Sequence, residues 1–141
     1  MPFFPEINES KTRENAKKIL RGYPRWRRVA NDKDGQKVTP TYSFMPRNPS
    51  SDKTSQIEKL AIRKIDAEME LDAIEQVVSE LHDPYYRRIL VEKYLDKHRK
   101  KDRTIYTALA MSESSYYETL DKALLAFAEL YRNGEQVAIA E

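Results

Sequence analysis

Apolar residues recur at every third or fourth position through most of this 141-residue chain, a spacing that predicts helices rather than strands. The first such run covers residues 10–22, where Ala16, Ile19 and Leu20 share one face. The pattern stops in residues 31–54, a stretch with three prolines and several Asn, Asp, Gly and Ser residues. This composition indicates a linker, with an extended piece expected around residues 39–44.

A second run, over residues 55–82, predicts a long central helix. Ser55 is followed three residues later by Glu58, a capping-box pattern that places the helix start at Ser55. Ile62 and Met69 widen the apolar stripe, so this helix can pack against two partners. The stripe itself consists of Ile57, Leu60, Ile65, Leu71, Ile74, Val78 and Leu81.

Two shorter helices are predicted next along the chain. Asp83 is placed to cap the first, and Pro84 suits its first position because proline needs no amide hydrogen there. Asp102 is placed to cap the second, over residues 103–110. The side chains expected to face inward are Tyr86, Ile89, Leu90, Tyr94, Ile105, Leu109 and Met111.

Ser112 is placed to cap the last predicted helix, which keeps its apolar period to about residue 132. Asn133 and Gly134 then give a stop signal. The tail, residues 135–141, is expected to fray. The inward positions of this helix are Tyr116, Leu120, Ala123, Leu124, Phe127 and Leu130.

A short helix, a tight corner and a helix opening on Ser112 together predict a helix-turn-helix, whose second helix would lie in the DNA major groove. An ordinary helical hairpin of a bundle is the alternative. Ser and Glu can exchange hydrogen bonds with base edges, and Lys122 can donate to guanine O6 and N7. The residues expected to read bases are Glu113, Ser114, Ser115, Tyr117, Glu118 and Lys122.

The net charge of +2 hides an uneven distribution. Residues 11–38 hold ten Lys/Arg against three acids, a net of +7, and residues 86–103 hold eight against three, a net of +5. Such basic blocks suit phosphate contacts, although a charged connector can also simply stay solvated. The expected phosphate ligands are Arg87, Arg88, Lys97, Arg99, Lys100, Lys101, Arg103 and Ser112, with arm contacts from Arg25, Arg27 and Arg28.

Two acidic regions balance these blocks. Residues 53–82 hold four basic residues against seven acids, a net of −3, which makes the central helix acidic. Residues 102–141 hold three against seven, a net of −4. The second count opposes DNA binding by the last helix, unless the neighbouring cations compensate for it.

Catalysis and cofactor binding are not expected. The chain has no cysteine, its two histidines lie far apart, and no glycine-rich phosphate loop is present. We therefore predict no enzyme activity, no metal and no cofactor. No apolar run approaches the length that spans a bilayer, and no signal peptide is apparent, so a cytoplasmic protein without membrane contact is expected.

Residues 86–130 resemble the C-terminal DNA-binding region of sigma factors, region 4, through the stretch Ile105-Tyr-Thr-Ala-Leu-Ala-Met-Ser-Glu-Ser-Ser-Tyr116. Ala110 stands where that family has a turn glycine, and a left-handed alanine costs about 1 kcal/mol. The resulting fold prediction is all-α, with a helical N-terminal part, a long central helix and a C-terminal sigma region 4-like helix-turn-helix. The domains are expected at 1–30 (basic N-terminal helical arm), 31–54 (Pro-containing linker), 55–82 (central helix), 83–134 (helix-turn-helix domain) and 135–141 (tail).

Over nearly its full length the chain resembles the ArpU-type late transcriptional regulators of phages that infect Gram-positive bacteria. The resemblance includes Phe3-Phe4-Pro5, the helix with Ala16-Lys-Lys-Ile-Leu20, and Tyr23-Pro24 with its arginine cluster. It implies a prophage-encoded protein that binds double-stranded promoter DNA in its bacterial host and activates late genes. RNA polymerase would be its partner, and the acidic central helix could contact the polymerase or form a homodimer.

Two other interpretations stay open. A small terminase-like DNA-binding subunit also joins a helix-turn-helix to oligomerising helices, and it would form a ring. A polymerase-binding or other protein-interaction adaptor would bind its partner without retaining DNA. RNA binding is less favoured, because no aromatic stacking platform on a sheet is visible.

Overall fold

The computed structural model describes residues 6–30 and 51–140, and it is all-α, as the sequence predicts. Residues 31–50 of the predicted linker, its extended piece at 39–44 and the Phe3-Phe4-Pro5 motif lie outside the described residues. The helices are α1 (Glu9–Arg21), α2 (Tyr23–Ala30), α3 (Ser51–Glu80), α4 (Pro84–Leu90), α5 (Asp102–Ala108) and α6 (Glu113–Leu130). A π-helical segment, Val91–Leu95, continues α4, and a 3₁₀ turn, Tyr131–Gly134, follows α6.

The chain divides into two compact units. The first contains α1, the residues of α3 from Asp72 onward, and everything that follows them. The second contains residues 25–71, of which the structure describes 25–30 and 51–71. Within the first unit, the N-terminal helix α1 therefore belongs to the same compact body as the predicted helix-turn-helix.

Helix α6 is central to the first unit, since α1, α4 and α5 all contact it. Its buried side is formed by Tyr116, Leu120, Ala123, Leu124, Phe127 and Ala128. Facing side chains include Ala16 and Leu20 of α1 and Ile89 and Leu90 of α4, all completely buried. The sequence period thus predicted this core correctly, except that Leu130 is 45% exposed.

The tail does not fray as expected. Through residue 140 it runs along the start of α1, where the Asn8 amide donates to Ala138 O at 2.7 Å and the Ala140 amide donates to Glu6 O at 2.9 Å. The Ala138 amide donates to the Thr12 hydroxyl, 2.9 Å away. Thr12 is completely buried and its hydroxyl also donates to Asn8 O at 2.8 Å, so the tail adds a second hydrogen bond to a polar side chain that is shielded from water.

Helix α3 begins at Ser51, four residues before the predicted start, so the capping box at Ser55 and Glu58 is wrong. Its C-terminal part buries Ile74, Val77 and Val78, as expected of an apolar stripe. The same stripe is not buried further towards the N-terminus. Five large apolar side chains there are each more than half exposed: Ile57, Leu60, Ile62, Ile65 and Met69.

Candidate nucleic-acid interface

The first three turns of α6 present a polar face to solvent. On the inner side Tyr116 and Leu120 are buried, and every residue predicted to read bases is exposed on the other side. Tyr117 is 41% exposed, which is high for so large a ring. The exposed set is Glu113, Ser114, Ser115, Tyr117, Glu118 and Lys122.

The corner before α6 has the hydrogen bonds of a Schellman motif. The Met111 amide donates to Tyr106 O at 2.9 Å, and the Ala110 amide donates to Thr107 O at 3.1 Å. This motif needs a left-handed residue, and Ala110 has φ of 56°. Ala110, which stands where the sigma region 4 family has a turn glycine, therefore does adopt the left-handed conformation.

Ser112 is the N-cap of α6, as predicted, because its hydroxyl accepts from the Ser115 amide at 3.1 Å. Its own backbone is extended, so the chain turns sharply into the helix. The cap fixes where α6 starts, and with it which residues share the exposed face.

Asp102 holds the start of α5 against α6, which corrects its predicted role as a cap. The N-cap of α5 is Lys101, and Asp102 is the first helical residue. Its carboxylate accepts from the Tyr116 hydroxyl at 2.6 Å and from Lys93 Nζ at 2.6 Å, with Tyr117 at 3.3 Å. Burial alone would raise the pKa of Asp102, but the hydrogen bonds from Lys93 and Tyr116 outweigh it and lower that pKa.

Glu92 performs a similar role for the basic connector, residues 96–101. Its carboxylate lies in the π-helical segment and is almost buried, and it accepts from Lys100 Nζ at 2.7 Å and Arg88 Nε at 3.1 Å. Its backbone carbonyl accepts from the Lys100 amide at 3.0 Å. The bond from Lys100 is the main reason that the pKa of Glu92 is lowered.

The predicted phosphate ligands thus differ in their surroundings. Lys100 and Arg88 are paired with Glu92, and Arg87 donates to the backbone carbonyl of Leu81. Four others are exposed and form no ion pair with any residue that the structure describes: Lys97, Arg99, Lys101 and Arg103. These four flank the start of α5 and are the cations available to a ligand.

Two acidic residues on α6 have cationic partners. Glu118 lies 3.5 Å from Lys122 one turn on, and both are well exposed. Asp121 lies 3.7 Å from Arg13 of α1. Exposed pairs of this kind contribute little to stability, but each reduces the field of a carboxylate near the polar face.

The predicted arm residues, Arg25, Arg27 and Arg28, lie on α2 in the second compact unit, where all three are exposed. Trp26, between them, is half-buried. In the described residues, no three His, Cys, Asp or Glu side chains come together in a way that could hold a metal ion. No helix in the described part of the chain is long and apolar enough to cross a membrane.

Sequence reasoning missed Glu92 and the true role of Asp102. A signal for Glu92 was present, because a lone acid sits among the inward positions Ile89, Leu90 and Tyr94 with Arg88 four residues before it. The contacts of Asp102 join residues 93, 102 and 116, which no helical spacing relates, so only the fold reveals them.

The fold and this site define a small all-α protein that presents a polar helix face beside a basic connector. A protein of Streptococcus phage O1205, provisionally named autolysin regulatory protein ArpU, is 46% identical over 133 residues, which cover 94% of this chain and 96% of that protein. The chain therefore belongs to the ArpU family. A protein of Enterococcus hirae with the same provisional name is 28% identical, covering 98% of each chain.

Protein Gp66 of Listeria phage A118 is also 28% identical, over 91% of this chain and 90% of that protein. No family model matches the chain. No solved structure matches it either. The similarity thus connects the chain to phage proteins and to a regulatory role named for two relatives, and it gives no residue a function.

Proposed function

We propose that this protein binds double-stranded DNA sequence-specifically, with α5, its corner and α6 acting as a sigma region 4-like helix-turn-helix. The observation that carries the proposal is the uncovered polar face over the first three turns of α6. A helix of a simple bundle would gain nothing from holding Tyr117 at 41% exposure. In the proposed complex this face enters the major groove.

Base reading would fall to the exposed set on α6. Lys122, on its third turn, can donate to guanine O6 and N7, and Glu118 can accept from cytosine N4. Their mutual contact at 3.5 Å is loose and solvent-exposed, so it can break at little cost when bases are offered. Ser114, Ser115 and Tyr117 supply hydroxyls, and Glu113 a further acceptor, on the same face.

Phosphate contacts would come from the connector. Lys97, Arg99, Lys101 and Arg103 are free to approach the backbone, and the first three, which lie outside residues 102–141, offset part of the net charge of −4 in that range. Ser112 is the N-cap of α6, and the helix dipole gives this N-terminal end of the helix a partial positive charge that favours a phosphate. Arg87, Arg88 and Lys100 would contribute less, because each is engaged by a carboxylate or a carbonyl.

The biological role we propose is activation of phage late genes in the cytoplasm of the bacterial host, with RNA polymerase as partner and without enzyme activity. Family membership and the regulatory name of two relatives support a regulator. The proposed control of late genes and the proposed polymerase partner rest on the resemblance to ArpU-type and sigma region 4 proteins.

Selection from a pool of random-sequence duplexes tests specific binding directly. The full chain should enrich one motif, and Lys122→Ala should lower affinity for that motif far more than for scrambled duplex. Glu129→Ala, on the exposed far end of the same helix, is the matched control. A pool that stays random after several rounds overturns the proposal, and equal losses on both duplexes remove Lys122 from base reading.

Salt dependence tests the connector. Lys101→Gln should flatten the slope of log affinity against log salt by about one unit, because one phosphate contact is lost. Lys101→Arg keeps the charge and should keep the slope. Replacing Lys100 together with Lys101 should flatten the slope by up to about two units only if DNA draws Lys100 away from Glu92. A slope unchanged by Lys101→Gln would show that this lysine contacts no phosphate.

Acidic residues on α6 favour a second candidate, a protein-interaction adaptor that does not bind DNA. It predicts capture of purified RNA polymerase with no retention of any duplex. A small terminase-like subunit would instead bind DNA as a ring, which light scattering separates from a monomer or dimer.

A further inference from the structure

The N-terminal half of α3 carries an apolar stripe that no other described residue of the chain covers. Ile62, Ile65 and Met69 are 57%, 55% and 59% exposed. Their spacing of three and then four residues is that of a seam between two helices. On the opposite side of the same helix Ala67 and Leu71 are buried, so the exposed stripe is a second apolar face rather than the edge of the first.

Charge changes sign along this segment. After Glu58, the charged residues up to position 64 are basic, Lys59, Arg63 and Lys64, and the next two, Asp66 and Glu68, are acidic. Two parallel copies would place Asp66 and Glu68 beside their own equivalents, and would set Glu58 against Glu58 at the end of the seam. Two antiparallel copies would instead place the basic half of each helix beside the acidic half of the other.

We propose that α3 pairs with α3 of a second copy of this chain, antiparallel, through a seam formed by Ile62, Ile65 and Met69. With the twofold axis between Arg63 and Lys64, Ile62 of each copy packs against Ile65 of the other. On the flank of the seam, Lys59 of each copy then lies beside Asp66 of the other. The short seam implies weak pairing, so the dissociation constant should fall in the micromolar range.

This inference stands apart from DNA binding, and it is tested on the full chain without DNA. Sedimentation equilibrium should show a concentration-dependent dimer. Ile65→Gln should raise the dissociation constant at least roughly tenfold, because each dimer loses two buried isoleucines. Ile57→Gln is the matched control, since Ile57 is 53% exposed but, at 3.6 residues per turn, lies outside the seam. Circular dichroism verifies that both variants keep their helices.

Cysteine cross-linking tests the direction, and the chain has no cysteine of its own. The antiparallel seam sets Met69 against Glu58 of the second copy, so a mixture of Met69→Cys and Glu58→Cys proteins should form a disulfide. Two copies of residue 69 would lie about 16 Å apart, given 1.5 Å per residue, well beyond disulfide reach. Met69→Cys alone should therefore not cross-link, whereas a parallel pair would do so readily.

Charge exchange tests the flank. Lys59→Glu should weaken the dimer, and adding Asp66→Lys to the same chain should restore it. A monomer at the highest soluble concentration overturns the proposal, as does a dimer that ignores Ile65→Gln. Cross-linking by Met69→Cys alone overturns the antiparallel arrangement. Capture of RNA polymerase through this face by a monomeric chain would assign the face to that partner instead.

Discussion

Replacing Asp102 by alanine should strongly destabilise the first compact unit. The Tyr116 hydroxyl donates to Asp102 over 2.6 Å, and Tyr116 is completely buried. Without the carboxylate that hydroxyl loses the acceptor that it has in the structure. A buried donor left unpaired costs about 1–3 kcal/mol.

Two smaller terms add to this cost. Lys93 loses an ion pair at 2.6 Å in which both side chains are about a quarter exposed, 24% and 25%, so water screens it only partly. The helix α5 also loses the acid in its first turn, which the helix dipole favours by about 0.3–1 kcal/mol. We expect Asp102→Ala to lower the free energy of unfolding by about 2–4 kcal/mol in total.

Tyr116→Phe should cost less, about 1 kcal/mol, because Asp102 keeps Lys93 and Tyr117 as donors. In the double variant the two costs should not add. The loss of unfolding free energy should be about 1 kcal/mol smaller than the sum of the losses in the two single variants. The assay is urea unfolding of the wild type, the two single variants and the double variant at neutral pH. Their unfolding free energies are compared with the same dependence on urea concentration, the m value, for all four. Tyr117→Phe is the control, with no measurable change expected. Strictly additive costs for the double variant would refute the claim that the Tyr116 hydroxyl depends on Asp102.

Three further predictions concern single residues of the same unit. Ala110→Gly should raise stability by about 0.5–1 kcal/mol by relieving the left-handed backbone, whereas Ala108→Gly, at the helical end of α5, should lower it by a similar amount in the same urea assay. Glu92 has a lowered pKa when folded, so it stabilises above its unfolded pKa, and that stability disappears as the pH falls through the folded pKa. Unfolding free energy should therefore fall less steeply for Glu92→Gln than for the wild type between about pH 5 and pH 3. Burial raises the pKa of Tyr94 to about 12, and its hydroxyl has no partner among the described residues, so Tyr94→Phe should leave stability in urea unchanged or increased.

Helical period predicted the core of the first unit well, because apolar burial follows spacing along a helix. Ile89, Tyr116 and Phe127 are buried as expected. The cap at Ser112 was predicted correctly, because its side chain satisfies its own helix, whereas the cap at Asp102 was wrong, because tertiary partners compete for that carboxylate. Spacing along one helix cannot show that the Asp102 carboxylate accepts a hydrogen bond from Tyr116, fourteen positions away.

The surroundings of the candidate site were less predictable than its location. All six expected base-reading residues lie on the exposed side of α6, since a helix with an apolar face fixes its opposite face too. The number of cations in the connector does not indicate that Lys100 forms an ion pair with Glu92 whereas Lys101 does not. This difference depends on the position of Glu92, which the π-helical segment sets. The role of the exposed face in DNA binding stays a prediction.

The position of helix α5 depends more on polar contacts than on the burial of its apolar side chains. This helix has seven residues, and Ile105 alone is buried. One buried isoleucine contributes about 1.5–3 kcal/mol, well below the entropy lost by ordering seven residues. Polar contacts at its two ends add to this, the Schellman motif at Ala110 and the carboxylate of Asp102, as does the ring of Tyr106, whose centroid lies 5.5 Å from that of Tyr116. Asp102 also accepts from the exposed Tyr117 hydroxyl at 3.3 Å, so the carboxylate that holds α5 in place contacts a side chain of the exposed face as well.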